Sequence, residues 1–186
     1  DISVAGLASN VLPSLDGKTF VELELPQGYL EYSWQKEGQN TILSNERVFS
    51  ATDPTGYVAT VKEAFGCSSS LSAVFNVIDA NGANGPRELL ELNGFALSQD
   101  EIKLVWSTDP SDPNEATFFE IFRGEASEGP YQYIEKVSGS SIEYIDSDLI
   151  PNTNYFYKVR AVNDNGATQQ NTEIEIKTLV DDVPPT

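Results

Sequence analysis

Histidine and methionine are missing from this 186-residue chain, and cysteine occurs once, as Cys67. Without histidine there is no Ser-His-Asp or Cys-His catalysis, no imidazole acid–base work and no histidine metal ligand. A single cysteine cannot close an intrachain disulfide. Basic residues are scarce too: 11 Lys and Arg face 29 Asp and Glu, giving a net charge of −18. Ten acids stand against four bases up to Pro86, and the remainder is acidic as well. Nucleic acid is therefore not expected as a partner, because affinity for it comes mainly from cations neutralising phosphates. No apolar run approaches the roughly 20 residues of a membrane-spanning helix, so direct membrane insertion is not expected either. The chain starts Asp-Ile-Ser and stops Asp-Val-Pro-Pro-Thr. It reads as a fragment of a longer polypeptide, whose other domains are its expected partners.

What the chain does contain is strand grammar. Hydrophobic residues make up 39% and charged residues 22%, enough apolar surface for folded domains. Apolar and polar residues alternate in short runs, and no long segment keeps a 3.6-residue period. Ile102, Leu104 and Trp106 share one face; Phe119 and Ile121 flank Glu120; Tyr155, Tyr157, Val159 and Ala161 alternate with Lys158 and Arg160. Glu120, Lys158 and Arg160 accordingly read as a solvated sheet face. Ile174 and Ile176 close the series. Breakers such as Asp109-Pro110-Ser111-Asp112-Pro113-Asn114 and Asn163-Asp164-Asn165-Gly166 separate the runs.

The first half follows the same rule, with strands expected at 18–25, 29–36 around Trp34, 46–51, 56–62 and 71–78. Asp79-Ala-Asn-Gly-Ala-Asn-Gly-Pro86 lacks any large apolar residue and marks a domain boundary. The expected organisation is a sandwich over 1–80, a linker at 81–85, a second sandwich over 86–180 and a further linker from 181 to 186. The fold class is all-β: two tandem antiparallel sandwiches.

The second half resembles the fibronectin type III family. Trp106 stands at the position of its second-strand tryptophan, and Phe119-Glu-Ile-Phe-Arg123 resembles its third strand. Tyr144 to Asn163 carries the strongest likeness through Leu149, Pro151, Thr153, Tyr155, Tyr157, Val159, Ala161 and Asn163. The resemblance implies that Leu149 plugs the core, Pro151 sets a turn and Tyr155 forms a tyrosine corner. Residues 1–80 resemble a bacterial immunoglobulin-like domain through Tyr32-Ser-Trp34 and Asp53-Pro-Thr-Gly56-Tyr57-Val58-Ala59. Ala59 replaces the family's disulfide cysteine, so the inter-sheet bridge is absent. Phe65-Gly-Cys-Ser68 is similar to a closing turn of such domains in secreted bacterial proteins.

No residue is assigned a catalytic role and no cofactor is expected. Cys67 has no activating base in the sequence around it and reads as an inert turn residue. Calcium candidates are Asp109, Asp112 and Glu115 with Asn114 in one loop, Asp146 and Asp148 in another, and Asp79 with Asn81 and Asn84 at the boundary. None of them fits a calcium-loop spacing, and Asp and Asn are good turn residues in their own right. Tyr131, Tyr133, Phe122 and Phe156 are the residues on which a glycan could stack, against ordinary cross-strand packing as the plainer account. The loop Asn163–Thr172 has no Arg-Gly-Asp and no aromatic or arginine anchor. The expected function is a structural or adhesive spacer in a secreted or cell-surface bacterial protein, with a surface protein or glycan as a further partner. The alternative is an accessory carbohydrate- or protein-binding module of a secreted polysaccharide-degrading enzyme.

Overall fold

The computed structural model describes residues 8–15, 17–64, 68–70, 74–80, 82–169 and 172–180, and all regular structure among them is strand. The chain divides into two compact units, Asp1–Ala80 and Asn81–Thr186.

In the first unit, β1 (Val11–Leu12), β2 (Val21–Glu24), β3 (Glu31–Lys36), β4 (Ile42–Ser44), β5 (Val48–Ala51), β6 (Gly56–Lys62), β7 (Ser68–Ser70), β8 (Phe75–Asn76) and β9 (Ile78–Asp79) follow in order. One sheet pairs β2 with β5; the other runs β4-β3-β6-β7, with β8 also on β6. Period-2 alternation turns Tyr57, Ala59 and Val61 of β6 inward against Trp34, Leu23 and Ala51. Trp34 is fully buried, packs on Phe49 and Phe75, and donates Nε1–H to the Glu46 carbonyl at 3.0 Å. The Tyr57 hydroxyl donates to the Asp53 carbonyl at 3.0 Å, tying the β5–β6 corner.

Three features depart from expectation. Of the strand expected at 71–78, residues 71–73 lie outside the described residues and the remainder is divided: β8 pairs antiparallel with β6, whereas β9 pairs with β1. The β1–β9 pair is parallel over two residues, an exception within the all-β, otherwise antiparallel fold that the sequence led one to expect. β4 and β7 have no sequence signal, because Ile42 and Leu43 are both exposed and a run of serines shows no alternation.

The second unit comprises β10 (Glu91–Ala96), β11 (Ile102–Ser107), β12 (Phe118–Gly124), β13 (Tyr131–Ser138), β14 (Glu143–Asp146), β15 (Asn154–Asn163), β16 (Gly166–Ala167) and β17 (Ile174–Lys177). One sheet is β10-β11-β14; the other is β13-β12-β15-β16, with β17 also on β15. Every pair in both is antiparallel. The core takes Leu92, Ile102, Leu104 and Trp106 from the first sheet and Phe119, Ile121, Tyr155, Tyr157, Val159 and Ala161 from the second. Leu149 closes the core from the loop before β15, and the Tyr155 hydroxyl accepts the Ile150 N–H at 2.9 Å. Asp146 lies at the core edge and accepts from Arg123 Nη1 at 3.0 and 2.9 Å and from the Tyr157 hydroxyl at 2.7 Å. Burial and this carboxylate push the Tyr157 phenol well above its usual range. Burial works against the Arg123 charge, but Asp146 outweighs it and holds the guanidinium above its ordinary value.

Candidate interaction face

The outer face of the β13-β12-β15 sheet gathers most of the residues the sequence offered for binding. Register places Glu120 beside Arg160 and Lys136, Phe122 beside Lys158 and Tyr133, and Gly124 beside Phe156 and Tyr131. The expectation of a solvated charged face is corrected here. Glu120 is 0% and Arg160 3% exposed, and the guanidinium donates from Nη2 and Nε to Glu120 Oε2 at 2.6 and 3.1 Å. An acid inside Phe118-Phe119-Glu120-Ile121-Phe122 was the available signal, since large rings on both sides exclude water from a side chain between them.

The aromatic rings of this face are engaged by the molecule's own cations. Lys136 Nζ stands 4.0 Å from the centre of the Phe118 ring, Arg160 Cζ 4.9 Å from Phe122, and Lys158 Nζ 4.8 Å from Tyr131. Each such contact contributes about 0.5–1 kcal/mol at an exposed site and more when water is excluded. Tyr133 meets Phe122 edge-on at 5.9 Å, and Phe122 itself is buried. Burial, then the Glu120 and Glu135 charges, raise the Tyr133 phenol. The Tyr131 hydroxyl donates to Glu173, which also accepts the Ser127 hydroxyl at 2.8 Å and the Glu128 N–H at 2.9 Å. Phe156 is half-buried. Of the four rings expected to stack a glycan, then, Phe122 is buried, Tyr131 carries a cation on one face and Tyr133 packs on its neighbour.

The acidic loop candidates separate into distinct roles. Asp109 and Asp112 come together around Arg87: Nη1 donates to Asp109 Oδ2 at 2.5 Å, and the Arg87 N–H donates to Asp112 Oδ2 at 2.8 Å. Asp109 Oδ1 accepts from the Ser111 hydroxyl at 2.7 Å and the Ser111 N–H at 2.8 Å. Those two bonds, then Arg87, hold the Asp109 carboxyl down at about 2. Asp112 Oδ1 accepts the Asn114 N–H at 2.9 Å. These residues border a cleft of about 270 Å³ floored by Phe119, Ala116 and Ala161. The Glu115 side chain is exposed. Asp146 is committed to Arg123 and Tyr157, and Asp148 is a left-handed turn residue. Asp79 lies in β9 and Asn84 in the second unit. No group of three or more Cys, Asp or Glu among the described residues is arranged to hold a metal. Cys67 and Asn81 lie outside the described residues.

The loop beginning at Asn163 also carries a role that its composition concealed. The Asn163 side chain is buried, accepts the Asn165 and Gly166 N–H groups at 2.9 and 3.0 Å, and donates to the Asn84 carbonyl at 3.2 Å.

Residues 90–177 match the fibronectin type III domain model, and this stretch is a fibronectin type III domain. The chain is 33% identical over 113 residues to the amylopullulanase of Thermoanaerobacter thermohydrosulfuricus, covering 59% of this chain and 7% of that one. It is 37% identical over 71 residues to human usherin, covering 37% of this chain and 1% of that one. The chain thus spans less than a tenth of these curated relatives. Among solved structures it is similar to the fn3 domain of human contactin 1, at 25% identity and TM-score 0.49, covering 63% and 98% of the two chains. The sixth fibronectin type III domain of human fibronectin type III domain containing protein 3 gives 19% identity and TM-score 0.48, covering 56% and 96%.

Proposed function

We propose that this chain is a non-catalytic structural spacer of a larger extracellular bacterial protein, its first unit an immunoglobulin-like sandwich. The observation that carries the reading is the outer face of the β13-β12-β15 sheet, where Phe118, Tyr131 and Phe122 are each met by one of the molecule's own cations, Lys136, Lys158 and Arg160. A surface satisfied by its own charges needs no partner to complete it. The fibronectin type III match and the much longer curated relatives support a module that works as part of a longer chain. Other domains of the same polypeptide are then its partners. Short loops on a sandwich offer rims and flat faces, whereas small-molecule sites enclose most of their ligand.

A second reading is favoured by the 33% identity to an amylopullulanase: an accessory carbohydrate-binding module of a polysaccharide-degrading enzyme. A glycan array followed by calorimetry separates the two. The spacer reading expects no saturable binding. Micromolar affinity for an α-glucan, lost on Tyr131→Ala or Tyr133→Ala, would replace it with the accessory-module reading.

A further inference from the structure

The segment Gly82–Glu88 lies at the start of the second unit, and two independent contacts fasten it there. Near one end, Gly85 N–H donates to the Gly82 carbonyl at 2.8 Å, closing a tight turn. The Asn84 carbonyl of that turn accepts from Asn163 Nδ2 at 3.2 Å. The same amide reaches the Glu115 carbonyl at 3.5 Å, while its oxygen accepts the Asn165 and Gly166 N–H groups. One buried side chain thereby joins the segment, the β15–β16 turn and the loop before β12. The backbones also touch: a Cβ built on Gly85 would stand 3.0 Å from Gly166 Cα and 3.1 Å from the Gly82 carbonyl oxygen. Glycine at both 85 and 166 is what lets the two turns approach so closely.

At the other end, Arg87 is held by backbone and side chain together. Its N–H donates to Asp112 Oδ2 at 2.8 Å and its Nη1 to Asp109 Oδ2 at 2.5 Å. Nε lies 3.8 Å from Asp112 Oδ1. Both carboxylates are fixed beforehand by Ser111 and Asn114, so the acceptors wait in place and little ordering entropy is lost when the segment docks. Pro86, between the two contacts, fixes one backbone dihedral and removes a donor that would otherwise need a partner.

We infer that Gly82–Glu88 is a docked strap with two clasps, a hydrogen-bonded one at Asn163 and an ionic one at Asp109 and Asp112. Gly82–Gly85 is therefore not free spacer length. The two clasps differ physically. Asn163 is buried and its bonds are insensitive to salt, whereas the Arg87 side chain is about half exposed, so added salt screens the ionic clasp first. Loosening the ionic clasp alone would therefore free the stretch around Arg87 while Asn84 stays held by Asn163.

Amide hydrogen exchange on the full chain, resolved by NMR, tests the proposal. The Gly85 and Arg87 amides are expected to be protected in the wild type. Asp112→Ala should speed exchange at Arg87 about tenfold, roughly the loss of one hydrogen bond to a charged acceptor. Asn163→Ala should do the same at Gly85. Arg87→Gln, which keeps the N–H but removes the charge, should abolish the salt dependence of exchange across the strap. The Leu104 and Val159 amides report whether each variant keeps its core. If a variant loses that core, the wild-type protection and its salt dependence still decide. Wild-type Gly85 and Arg87 exchanging at the rates of an unstructured peptide would overturn the strap. So would protection that none of the three substitutions and no addition of salt changes.

Discussion

Glu120 and Arg160 decide more than any other pair of residues in the second unit. Both are buried on the side of the sheet that faces away from the core, where alternation assigns polar residues to water. Removing one partner strands a charge in a dry site, so Glu120→Ala is expected to cost about 3–5 kcal/mol in urea unfolding. Replacing both by methionine should cost less than the single change, because neither charge is then left behind. A double-mutant cycle on unfolding midpoints checks this. Losses from the two single changes that simply add in the double variant would mean that the pair does not act as a unit. Tyr155 is the second decisive residue. Tyr155→Phe removes the acceptor of the Ile150 N–H at the corner before β15, and about 1–3 kcal/mol should be lost.

Among the elements, the connection between β13 and β14 is the least tolerant of change. Gly139 N–H donates to the Thr117 carbonyl at 2.9 Å, and a Cβ at Gly139 would fall 1.9 Å from the Ala116 carbonyl oxygen. The obstacle is backbone, which cannot swing aside as a side chain would. Gly139→Ala is therefore expected to destabilise the unit by about 1–3 kcal/mol, as overpacking of a rigid neighbour does. Gly94 offers the control: the atoms nearest its Cβ would be those of the Ile176 and Ile174 side chains, at 2.4 Å and beyond. Those can rotate, so Gly94→Ala should cost less in the same thermal melts.

For the whole molecule, pH probes two buried or ordered groups from opposite sides. The Asp109 carboxyl is lowered to about 2. A depressed carboxyl contributes in full above its unfolded value, and that contribution disappears as pH falls from about 4 through about 2. Asp109→Asn should flatten this part of the acid profile in urea titrations. The Tyr157 phenol is raised instead, so its contribution is complete below its unfolded value near 10 and declines as pH rises beyond it. Absorbance titration should then show a tyrosine that ionises only as the protein unfolds, and Tyr157→Phe should remove it. The two core clusters share no residue, one centred on Trp34 and the other on Trp106. Residues 82–186 expressed alone are accordingly expected to unfold cooperatively, with near-UV circular dichroism as the check.

Local composition determined the strands whose two faces differ: Ile102–Ser107, the first half of Asn154–Asn163 and Gly56–Lys62 follow directly from period-2 alternation. It determined the tyrosine corners as well, because Tyr57 and Tyr155 lie within five residues of their backbone partners. Only the tertiary structure decided the rest. Whether Glu120 meets water depends on Arg160, forty residues away, and Asn84 becomes a docked residue through Asn163, seventy-nine positions on. The same sequence pattern of acids and amides describes a solvated turn and a clasp. What separates them is which distant donor the folded sheets bring within 3 Å or so, and loop closure over such spans leaves no local trace in the chain.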